Sequence, residues 1–151
     1  MMDPHDVSAY ASSVRINPNT PLSRKESEDV LVKMVGRMAA ECVRMGAAFI
    51  GHIKCVAYVP SGECLACSVT DMDGAVSCAG ALGDGMTRLD LIVNVLVYGI
   101  DQGALGDHME RELVRTIEST EASASIMTFQ IEKEDETRSD RPPSFITLTD
   151  R

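Results

Sequence analysis

The sequence predicts an α+β protein: an antiparallel sheet of four to five strands, a β-meander plus one long strand, carrying two main helices on one face in the order α-β-β-β-β-α-(β). Three stretches carry this reading. Residues 49–80, FIGHIKCVAYVPSGECLACSVTDMDGAVSCAG, hold three strand-like segments parted by Pro60-Ser61-Gly62 and Asp71-Met72-Asp73-Gly74, whose residues preset turn backbone angles. A long apolar stripe at helical spacing precedes them, and the β-branched run TRLDLIVNVLVY follows.

Residues 1–22 mix Pro4, Pro18 and Pro21 with Asp, Ser and Asn and show no sustained period, so they are expected as an extended or mobile arm, with Val14 to Ile16 able to order against the domain. Ser23 followed by Glu26 is a capping-box pattern and starts the first helix. Val30, Leu31, Met34, Val35, Met38, Ala39, Cys42 and Met45 then form its apolar stripe. Early acids, late arginines and Gly46 agree with its polarity and its end.

Period two assigns the faces of the meander. Ile53, Cys55, Ala57 and Val59 share one side and His52, Lys54, Val56 and Tyr58 the other; Leu65, Cys67 and Val69 oppose Cys64, Ala66, Ser68 and Thr70. The apolar side is the expected seat of the first helix. The glycines of Gly80 to Met86 predict a turn with positive φ or a close backbone approach; the segment lacks the Gly-Lys-Ser/Thr ending of a phosphate loop.

Thr87 to Tyr98 reads as a central strand with Leu89, Leu91, Val93, Val95 and Val97 on one face. Its alternate face, Asp90, Ile92, Asn94, Leu96 and Tyr98, is too apolar for free solvent and too polar for a plain core. A second helix follows a glycine connector, capped by Asp107 with Glu110 or beginning earlier near Ala104. Ser125 to Glu132 offers one further strand, and 133–151 is a charged, Pro-containing, flexible tail in which SFITLT can dock as an edge strand or serve as a partner-binding peptide. The single domain therefore spans 23–132.

A net charge of -9 without a basic run opposes phosphate backbones and excludes nucleic acid as the expected partner. The longest apolar run is too short to span a bilayer, so no membrane partner is expected. The first residues lack a basic segment followed by an apolar one, which gives a cytoplasmic expectation. Five cysteines, an odd number, then imply reduced thiols.

Cys64 and Cys67 have redox or metal spacing, but i and i+3 in a strand point to opposite faces, so no metal or cofactor is expected and the cysteines read as small apolar residues. The mixed face, with His52, Lys54, Ser68, Thr70, Asn94 and Tyr98, is the candidate functional side. The favoured reading is a small homo-oligomeric binding or accessory protein acting through it, with a small-molecule ligand possible. The alternative is a metabolic enzyme with His52 as general acid or base and Lys54 as anion anchor, under a loop contributing Gly83 and Gly85. A Cys-based metal or redox protein is the second alternative.

Overall fold

The computed structural model describes residues 3–129 and 144–148. It contains β1 (Val7–Pro18), α1 (Arg24–Arg44), β2 (Phe49–Tyr58), β3 (Cys64–Val69), β4 (Ser77–Gly80), β5 (Leu89–Tyr98), α2 (Gln102–Glu118), β6 (Ala122–Phe129) and β7 (Ser144–Leu148). The α+β class stands, but the sheet has seven strands instead of four or five, in the order β4-β3-β2-β5-β1-β6-β7. Every neighbouring pair is antiparallel.

β1 and β2 both pair with β5, and β5 and β6 both pair with β1. The connections through α1 and α2 therefore form two interleaved split β-α-β units, the ferredoxin-like plait, widened by the β3-β4 meander on one side and β7 on the other. α1 lies over β2 and β3, α2 over β1 and β6, and the helices touch each other. Leu89, Leu91, Val93, Val95 and Val97 on β5 lie beneath the seam between the helices and are all buried.

The main correction concerns β1. The arm expected at residues 1–22 supplies a strand at the middle of the sheet, paired on both sides. Its inward positions are Ser8, Tyr10, Ser12, Val14 and Ile16, so three of the five carry hydroxyls and blur the apolar alternation. Ser8 Oγ donates to the Ile100 carbonyl at 2.5 Å. Thr128 donates to Glu110 at 2.6 Å, which leaves its oxygen to accept from the Tyr10 hydroxyl at 3.4 Å.

The capping box of α1 forms: Ser23 Oγ accepts from the Glu26 amide at 3.1 Å, and Glu26 accepts from the Ser23 amide at 3.0 Å. Its C-terminus closes as a Schellman motif, with Gly46 at φ 89° donating to Val43 and Ala47 donating to Cys42. The cap of α2 is Asp101, accepting from the Ala104 amide at 3.0 Å, so that helix begins ahead of the expected Asp107. Two interior glycines, Gly103 and Gly106, had masked this first stretch.

SFITL of the expected tail is ordered as β7 against β6, while 133–143 and 149–151 lie outside the described residues. The all-thiol expectation also fails. Cys67 and Cys78, directly opposed on β3 and β4, are joined by a disulfide. Cys67 is fully buried, whereas Cys78 is exposed because β4 extends past the helical cover. Among the described residues, no helix is long and apolar enough to cross a membrane.

Candidate functional site: the open face of the sheet

Both helices pack on one side, and among the described residues nothing covers the opposite side of the sheet. The paired registers place its residues in rows running across β3, β2, β5, β1 and β6. One row is Ser68, Lys54, Asn94, Ala11 and Phe129; the next is Ala66, Val56, Ile92, Ser13 and Met127. A third, towards one end, is Cys64, Tyr58, Asp90, Arg15 and Ser125. Ile92 is 41 % exposed and Phe129 46 %, values that a central and a near-central strand seldom leave to water.

At the other end Phe49 stacks on Tyr98 with ring centroids 4.1 Å apart, beside Val7. A register shift between Ile50 and His52 keeps both Ile50 and Ile53 buried while His52 stays on the open side. Gly51 at this shift is required by space, since a Cβ there would sit 3.0 Å from the Leu96 carbonyl oxygen.

The structure brings together most of the residues singled out in the sequence. Ser68, Lys54 and Asn94 are side by side, His52 is paired with Leu96, and Thr70 follows the end of β3. Among the described residues, nothing forms a hydrogen bond or ion pair with the side chain of His52 or Lys54. Asp71, next to Thr70, accepts from the Asp73 amide at 3.0 Å within its own turn.

Gly83 and Gly85 are placed elsewhere. Their loop precedes β5 and so lies at the Asp90 end, about 20 Å along the strand from the Leu96–His52 pair. The Gly83 amide donates to Glu63 at 2.8 Å, Asp84 accepts from the Arg24 amide at 2.7 Å, and Leu82 is buried in the core. The loop seals the α1 end of the core and builds no roof over His52.

A second polar cluster, between the helices, was missed because its members are far apart in sequence. Glu41 and Glu112 are both nearly buried at the α1-α2 contact, each bound by the arginine one turn on, Arg44 and Arg115. Burial acts to raise the Glu41 carboxyl, but Arg44, with His108 at 3.6 Å and Glu112, holds it below its ordinary value. A groove of about 390 Å³ beside them is lined by Arg37, Ala40, Glu41, Arg44, Glu112 and Arg115. Each carboxylate is already matched to a cation on its own helix, and Glu41 meets His108 and Glu112 across the α1-α2 contact.

At the Asp90 end of the open face, burial raises the Asp90 carboxyl, but Arg15 at 2.9 Å and Arg88 at 3.0 Å lower it by more. Asp90 is the one outward carboxylate among the described strands, so the face is cationic on a chain of net charge -9. It presents large apolar side chains, small ones and one unpaired cation, Lys54. Groups of His, Cys, Asp and Glu able to hold a metal ion are absent among the described residues. No family model, curated protein or solved structure matches this chain. Sequence reasoning missed the contribution of β1 and β6, namely Ala9, Ala11, Met127 and Phe129; the outward alternation of Val7 to Asn17 is the signal that could have found it.

Proposed function

We propose that this is a small binding protein that acts as a homo-oligomer, with the open sheet face as its contact surface. The observation that carries the reading is the exposure of Val7, Phe49, Tyr58, Ile92 and Phe129 on one helix-free side of the sheet. Five strands about 4.8 Å apart and about 30 Å long make a footprint of roughly 600 Å² in projection, approaching the ~800 Å² per partner of a stable complex. Covering this surface removes a contiguous apolar patch from water.

His52 and Lys54 are binding groups in this reading, because the loop that an enzyme pocket would need stands at the far end of β5. Light scattering tests it: wild type should give a mass above the 16.3 kDa of one chain, and Leu96→Glu a lower one. A monomeric wild type at micromolar concentration would remove the reading.

A further inference from the structure

The geometry points to a specific arrangement of two copies: a two-fold axis running along β5, parallel to the strands, with the sheets stacked face to face. This deepens the self-association proposed above and rests on it. Such an axis keeps each row of residues in register and reverses its order, so that β2 of one copy covers β1 of the other and β6 covers β3.

The side chains are graded for this operation. In the first row, Lys54 then faces Ala11 of the other copy and Phe129 faces Ser68. In the next, Val56 faces Ser13 and Met127 faces Ala66. In the third, Tyr58 faces Arg15, a cation over a ring, and Cys64 faces Ser125. In the first two rows a large residue is opposite a small one, which is how two inner sheet faces interdigitate. The strand on the axis meets its own image through Ile92, Asn94 and Leu96. Asp90 meets its own image too, and each carboxylate brings Arg15 and Arg88 with it.

The competing two-fold, in the same plane but across the strands, places β2 over β2 and β1 over β1. Val56, Lys54 and Tyr58 would then crowd against their counterparts while Ala9, Ala11 and Ser13 left a gap opposite theirs. Packing at interior density rejects that pattern.

Exposed Cys64 supplies one half of the test. Within one chain it lies four strands from Ser125, about 19 Å at the usual strand spacing. A bismaleimide shorter than two strand spacings, about 10 Å, can therefore join Cys64 to Ser125→Cys only between copies, and cannot join the two copies of position 56 across the axis. Ser125→Cys should convert most of the chain into covalent dimer, with the bridge mapped to Cys64 and position 125, while wild type with Cys64 alone should not bridge. The control Val56→Cys on a Cys64→Ser background should stay unbridged. If light scattering shows dimers but Ser125→Cys gives no bridge, or Val56→Cys does, the axis is wrong and self-association stands. If the wild type is monomeric, both fall.

Discussion

Leu96→Glu separates an interface from a merely solvated sheet. Leu96 is half-buried in the single chain, paired with His52 on one side and Ala9 on the other, so a glutamate can swing into solvent at little cost to folding. Between two copies it stands beside the axis. Completing the burial of one leucine contributes about 1 kcal/mol, a fraction of the full side-chain value, so two copies lose about 2 kcal/mol. Two carboxylates about 8 Å apart at an effective dielectric of ~20 add about 2 kcal/mol of repulsion. The sum, about 4 kcal/mol, raises the dissociation constant nearly a thousandfold. Sedimentation equilibrium over a dilution series reads this directly, with thermal melts confirming that the mutant is folded. Identical dissociation curves for wild type and mutant would refute the reasoning, as would a mutant that loses its fold along with its association.

Met38→Asp places an unpaired charge at a fully buried position of α1 and should cost on the order of 3 kcal/mol or more in chemical denaturation; a wild-type midpoint would contradict the packing of α1 on the sheet. Asp90 gives a pH dependence of known sign: its folded pKa is depressed, so its stabilisation is complete above the unfolded value of about 3.9 and is lost as pH falls through the folded one. Denaturant titrations should show wild type and Asp90→Asn converging below about pH 4, and a gap that persists into acid would exclude the Arg15 and Arg88 pairing as its source. In native alkylation at neutral pH, Cys64 should react while Cys42 and Cys55, both pushed up to about 12 by burial, should not; exposed Cys78 should become reactive only after reduction. Labelling of Cys78 without reductant would show that the disulfide is absent.

What the sequence revealed follows from how each element announces itself. α1 was readable from its capping box to Gly46, because one apolar stripe, one cap and one glycine act within a single segment. The faces of β2, β3 and β5 were readable because their alternation is strict and their inward residues are aliphatic or Cys. β1 hid behind inward hydroxyls, whose bonds to Ile100 and Thr128 are set by residues about a hundred positions away. The Cys67–Cys78 disulfide depends on the β3-β4 register, which spacing in the chain does not specify. The candidate face was half-readable for the same reason: His52, Lys54, Ser68, Asn94 and Tyr98 come from consecutive strands, but its β1 and β6 columns exist only once the crossovers interleave them.

The charge of the chain bears on whether two copies can meet. A net -9 on each would oppose association if the carboxylates faced one another, since like charges across a contact repel strongly at low dielectric. Among the described residues only Asp90 meets its image, and it brings Arg15 and Arg88 with it. Glu28, Asp107 and Glu118 belong to the helices, and Asp71, Asp73 and Asp84 to turns. With packed layers about 10 Å apart, carboxylates on the outer helical surfaces of two stacked copies are separated by more than about 20 Å, beyond the ~8 Å screening length of physiological salt. The surface nearest the second copy carries Lys54, Arg15 and Arg88 against Asp90, among apolar side chains. Two negative molecules can thus approach through their least negative sides, and the acids on the opposite side hinder continued stacking, which favours a closed pair over a growing fibre.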